Sequence, residues 1–120
     1  GSDDDSTPTL YVADSINNRI AAITNAVQRT SSAGIGTTVT KGGSLNDPLG
    51  LTVESNGNII TVNGDDGFAV LTTPSGHQTA KVLLDSSGNP PGAGALFGLT
   101  TIGSQLYYVD DATNTLNLFQ

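Results

Sequence analysis

Three kinds of short apolar segment recur along this chain at one spacing. A spacing shared by independent elements constrains a fold more tightly than composition can. Leu10-Tyr11-Val12-Ala13-Asp14, Ile59-Ile60-Thr61-Val62-Asn63 and Leu106-Tyr107-Tyr108-Val109-Asp110 are strand-like runs ending in Asp or Asn, at offsets of 49 and 47 residues. After a tight turn, each is followed by a second run, at residues 19–23, 67–71 and 115–119, with Ile20, Phe68 and Leu116 spaced 48 apart. A third element, Gly50-Leu51-Thr52-Val53, returns 48 residues later as Gly98-Leu99-Thr100-Thr101. The runs are short and rich in β-branched and aromatic residues, and turn-forming residues bound them, which marks them as strands.

The turns fit strands joined as hairpins. Asn56-Gly57 lies between the runs at 51–53 and 59–62, and Asn-Gly is a strong hairpin signal. Ser15-Ile16-Asn17-Asn18, Gly64-Asp65-Asp66 and Asp111-Ala112-Thr113-Asn114 form a second set of tips, and Thr73-Pro74-Ser75-Gly76 leads into a further strand at 79–84. Labelled a to d within a unit, the strands read b-c-d over residues 10–42, a-b-c-d over 49–84 and a-b-c over 97–120. Four antiparallel strands in about 48 residues make one propeller blade. The expected fold is therefore all-β, with antiparallel four-stranded propeller blades and an incomplete ring in one chain. Apolar residues are only 36% of the 120, with 15 glycines and no Trp or Met. That composition suits many short strands and turns rather than long helices. Residues 1–9, with Asp3-Asp4-Asp5, read as a disordered acidic tail.

Residues 10–20, LYVADSINNRI, resemble the most recognisable stretch of an NHL repeat, and Asp47-Pro48-Leu49-Gly50-Leu51-Thr52-Val53 resembles that family's opening strand. The second copy departs from the pattern, with Gly64-Asp65-Asp66-Gly67 where the Asn-Arg pair would stand. The third keeps Asp110 and Asn114 but has Thr115 in the place of Arg19. The resemblance spans residues 9–120 and implies a radial propeller of twisted antiparallel sheets. That family includes ligand-binding and scaffolding domains, and related propellers include hydrolases and lyases, so the fold leaves the function open.

Charge excludes some partners. The net charge is −7 and the cations are Arg19, Arg29, Lys41 and Lys81 alone. Four dispersed cations cannot neutralise a run of phosphates, so neither nucleic acid nor an anionic membrane surface is an expected partner. No apolar run approaches the roughly 18 residues of a membrane span. With no cysteine, neither a disulfide framework nor a thiolate metal site can form. The wealth of Ser, Thr, Asn and Gly beside few lysines points to a secreted or cell-surface protein.

The residues that could carry chemistry read better as structure. Asp14, Asn63 and Asp110 take the same place in each repeat, where an Asx side chain caps a turn through backbone N–H groups. Asn18 and Asn114 complete the motif. The alternative use of Asp14 and Asp110 is as ligands to a divalent cation; otherwise no cofactor is expected. Arg19 is positioned to pair with a neighbouring acid and cover an apolar edge. The single histidine, His77, follows a hairpin tip with no second histidine to form a zinc site. No G-x-S-x-G motif occurs, and Asp65-Asp66 and Asp110-Asp111 are adjacent acids on turns rather than a pair facing across a cleft. Tyr11 aligns with Tyr107 and is expected to pack between blades, with Tyr108 on the other side of its own blade.

The expected function is thus that of a non-enzymatic, self-associating module with a structural or adhesive extracellular role. It would associate as a dimer closing a ring or as a head-to-tail filament. The alternatives are a ligand- or protein-binding segment of a longer NHL propeller, and a fragment of a metal-dependent propeller lyase or hydrolase.

Overall fold

A computed structural model describes residues 9–28, 30–86, 92, 96–102, 105–110 and 115–119, with backbone alone at 97, 101, 102, 109, 110 and 119. Ten strands lie in these residues: β1 (Leu10–Asp14), β2 (Arg19–Ile23), β3 (Thr37–Lys41), β4 (Pro48–Val53), β5 (Ile59–Asn63), β6 (Phe68–Thr72), β7 (Gln78–Leu83), β8 (Leu96–Ile102), β9 (Gln105–Asp110) and β10 (Thr115–Phe119). They form three antiparallel sheets with the orders β1-β2-β3, β4-β5-β6-β7 and β10-β9-β8. The described residues contain no helix. The expected acidic tail, apart from Thr9, lies outside the described residues, as do Arg29, Pro90, Pro91 and Asn114.

Local sequence explains the hairpins. At 54–58 the Glu54 N–H donates to Asn58 O at 2.8 Å and the Gly57 N–H to Glu54 O at 2.8 Å. At 73–77 the same pair of bonds recurs, Thr73 N–H to His77 O at 2.8 Å and Gly76 N–H to Thr73 O at 2.9 Å. Of the residues in these two tips only Gly57 and Gly76 have positive φ, 91° and 96°. This is a type I turn closed by a left-handed glycine, rather than a two-residue turn with both central residues left-handed.

The three sheets stack, and side-chain alternation sorts the apolar residues between them. β4 lies against β1 on one side and β8 on the other, and β5 also lies against β8. Ile59 and Val70 face the first sheet and form a core with Ile20 and Leu45, to which Tyr11, Val39 and Leu51 are packed. Ile60, Val62 and Ala69 face the third sheet and form a second core with Leu96 and Leu106, flanked by Leu71, Leu84, Leu99 and Tyr108. All five residues of β5 are buried, as a strand covered on both faces requires. Tyr11 and Tyr108 therefore both point at the middle sheet, from opposite sides.

The pairing register amends one sequence alignment. Ala13 pairs with Ile20, Val62 with Ala69, and Val109 with Leu116. The residue matching Ile20 and Leu116 is therefore Ala69, at offsets of 49 and 47. Phe68 sits one place earlier and faces the other way, sharing its face with Lys81, whose Nζ lies 4.7 Å from the ring centroid.

The β6–β7 tip also touches the first sheet: a Cβ on Gly76 would collide with Val39 O of β3. Gly76→Ala forces a left-handed alanine and pushes the two sheets apart. It is expected to destabilise the fold by about 2 kcal/mol or more, measured by denaturant unfolding. Unchanged stability would mean that this inter-sheet contact does not form.

Candidate functional site

Two of the motif asparagines, Asn18 and Asn63, converge on the segment linking the first two sheets. Asn18 adopts a left-handed conformation, φ 54°, which asparagine tolerates better than most residues. Its carbonyl accepts the Gly42 N–H at 2.9 Å. Its amide Nδ2 donates to Leu45 O at 2.9 Å, and its Oδ1 accepts the Asp47 N–H at 3.0 Å. Asn63 holds the same segment from the middle sheet: Nδ2 donates to Ser44 O at 2.9 Å and Oδ1 accepts the Asn46 N–H at 3.0 Å. Gln78, at the start of β7, completes the clamp. It accepts the Ser44 N–H at 2.7 Å and donates to Thr40 Oγ1 and Gly42 O, each at 3.0 Å. These bonds drive the Leu45 side chain into the first core. Sequence reasoning missed Gln78, which no motif marks. It also missed Leu45, although a lone leucine in Gly42-Gly43-Ser44-Leu45-Asn46-Asp47 is a signal for an anchor.

Asp14 and Arg19 form an ion pair, Arg19 Nε to Asp14 Oδ2 at 2.9 Å. Asn17 adds its backbone N–H to Asp14 Oδ1 at 3.2 Å and its Nδ2 to Oδ2 at 3.0 Å. The Asn17 side-chain bond, then the Arg19 bond, hold the Asp14 carboxyl below its ordinary value. The rest of the Arg19 fork donates to Thr38 Oγ1 at 2.8 Å and to the Ile35 carbonyl. Arg19 is buried; it ties all three strands of the first sheet to the segment over its outer face. Asp14 is thus already satisfied by the protein. The Asp110 side chain and the whole of Asn114 lie outside the described residues. Among the described residues, no three His, Asp or Glu side chains come together as a metal site would need.

The other polar candidates stay on turns. His77 is exposed, with Nδ1 3.3 Å from Ser75 Oγ and its N–H on Thr73 Oγ1 at 3.1 Å. Asp66 accepts Asn63 Nδ2 and the Phe68 N–H. Asp65 is pushed up from the ordinary carboxyl value, first by desolvation and then by neighbouring Asp47.

The larger features are apolar. Leu10 and Val12, at 52% and 38% exposure, lie on the outer face of the first sheet, with Ile16 and Ile35 exposed beside them. Leu116 and Leu118, at 71% and 40%, lie on the outer face of the third. Between the middle and third sheets runs a groove of about 530 Å³, lined by Ile60, Leu71, Ala80, Val82, Leu84 and Leu106 among others, with Glu54 and Gln105 also on its wall. No helix among the described residues is long and apolar enough to cross a membrane. Comparison with protein-family profiles and with curated proteins finds no match.

The Asp14 geometry gives a pH dependence. A carboxyl whose folded pKa is depressed contributes stability that is full above its unfolded value, near 3.8. That contribution is lost as pH falls through the lower folded value. Denaturant unfolding from neutral pH downwards should show stability falling below about pH 4, with a shallower fall in Asp14→Asn. Identical acid limbs in both proteins would show that Asp14 has no such role.

Proposed function

We propose that this chain is a module of NHL-like propeller blades, incomplete as a ring, that works by associating with further copies of itself in a structural or adhesive role outside the cell. One comparison carries the reading. Ile20 and Leu116 occupy matching places in the first and third sheets. Ile20, covered by the middle sheet, is 0% exposed, whereas Leu116 is 71% exposed. The same kind of residue stands at both places, and among the described residues only Ile20 has a sheet over it.

The stacking supports a propeller arrangement. Strand β4 contacts β8, so the a strands of the middle and third sheets lie side by side, as they would around a propeller axis; β4 also contacts β1, the b strand that stands first in its sheet. The described polar residues of the motif, Asp14, Asn18, Arg19 and Asn63, are engaged in holding turns and the linking segment, which suits a structural module. An apolar sheet face open at each end of the stack, with unpaired strand edges, favours association.

The groove favours a second reading, a ligand- or protein-binding segment of a longer NHL propeller. Its volume and apolar lining fall in the range of ligand pockets, and in a longer chain further blades would cover the end faces.

Light scattering coupled to size-exclusion chromatography decides between them. Self-association predicts a molar mass that rises with concentration toward whole multiples of the chain, because assembly follows mass action. A well-folded monomer from about 1 to 100 µM, a range that spans moderate affinities, would contradict it and leave the second reading standing.

A further inference from the structure

We infer that the copies associate head to tail: the outer face of the third sheet seats on the outer face of the first sheet of another copy. This rests on the self-association reading and specifies its geometry. The two open faces are different surfaces, and the register shows how. Within the chain, one face of each sheet receives the sheet that follows, and the other rests on the sheet that precedes.

In the first sheet, Tyr11 and Ile20 face the following sheet. In the middle sheet, Ile60 and Ala69 do so. Their counterparts in β9 and β10 are Tyr107 and Leu116, and the pairs Leu118–Tyr107 and Leu116–Val109 place both residues on one face. That face points away from the middle sheet, because Leu106 and Tyr108, which alternate with them, pack inward. The outer face of the third sheet is therefore a receiving face with no sheet on it among the described residues.

The resting face runs the other way. Ile59 of β5 rests on the first sheet, and Leu106 of β9 rests on the middle sheet. Their counterpart in β1 is Leu10, with Val12 two places on. The outer face of the first sheet is a resting face on which, among the described residues, no sheet lies. A receiving face meets its complement only in a resting face, so continuing the two interfaces inside the chain gives a heterologous contact rather than a symmetric one. Heterologous contacts repeat, either closing a ring or extending a filament.

The segment before β3 narrows the contact. Arg19 holds the Ile35 carbonyl, and Gly36 lies against Ala21 and Ile23. This covers the β2 side of the first sheet's outer face and leaves Leu10 and Val12 on β1 open, with exposed Ile16 and Ile35 at the rim. Ile20 packs in one core with Ile59. By the same geometry, Leu116 of one copy meets Leu10 of the next, beside Val12.

The test uses two variants of the full chain, Val12→Asp and Leu116→Asp, followed by light scattering. Both positions are exposed in the single chain, so both variants should fold; Val12→Ser and Leu116→Ser give milder versions should either aspartate disturb its strand. Each aspartate spoils one face by burying an unpaired charge on association. In a head-to-tail assembly each variant alone should lose self-association by roughly a hundredfold. An equimolar mixture should form a one-to-one heterodimer through the two intact faces and stop there. Val12→Asp that self-associates as tightly as the parent would overturn the inference, because the Leu116 face would then pair with itself. So would a mixture that stays monomeric. A parent chain that is itself monomeric removes the self-association reading, and this inference with it, before any variant is made.

Discussion

A strand with apolar side chains on both faces must be covered on both faces, and β5 is such a strand. Ile59 and Thr61 point one way, Ile60 and Val62 the other, and all are buried. Half-buried strands of antiparallel sheets usually alternate apolar with polar residues, leaving one face to water. In β5 no face is left for water, so this inner part of the middle sheet needs a sheet on either side, while β7 at its edge stays exposed. The first and third sheets are its covers; the first sheet's own outer face is covered only on its β2 side, where Arg19 and Ala21 are buried, and Leu116 and Leu118 of the third sheet are exposed. The exposed leucines at both ends of the stack follow directly from that shortfall.

Apolar area alone does not set how the sheets are aligned, because hydrophobic burial is non-directional. The polar clamp on residues 42–47 supplies direction. Asn18 reaches it from the first sheet, Asn63 and Gln78 reach it from the middle sheet, and between them they fix Leu45 in the core. Asn63 is fully buried, and its amide is satisfied at both ends by backbone and Asp66, which a buried amide needs if it is not to destabilise the fold. Thr61 and Thr72 are less well served, since their buried hydroxyls have no hydrogen-bond partner among the described residues. Their β-branched shape suits the sheet.

The strands and their grouping were legible because the period is carried by several elements at once. The slip at Phe68 shows where such reading fails. Aligning Ile20, Phe68 and Leu116 at an even 48 matches apolar with apolar. The hairpins, however, move as units of 49 and 47, and one residue of slip turns a side chain to the opposite face. Only the pairing of Val62 with Ala69 resolves it. The roles of the motif residues were legible in part: the ion pair of Arg19 with Asp14 follows from their places flanking one turn. Gln78 was not legible, because its partners lie 34 to 38 residues away, Thr40 on β3 of the first sheet and Gly42 and Ser44 in the linking segment. No local pattern encodes a contact of that range. The open end faces were legible only as a count of missing strands; which residues they present depends on the register.

On the self-association reading, the end sheets present exposed versions of an interface that the middle sheet already makes twice. Amide hydrogen exchange, read strand by strand at low and high protein concentration, tests it most directly, since protection reports local opening. Strands β5 and β6 should exchange slowest at every concentration, and β1 and β10 should exchange fast when dilute and slow down as concentration rises. Exchange at β1 and β10 that ignores concentration, or β5 amides that exchange as fast as those of β10, would contradict it.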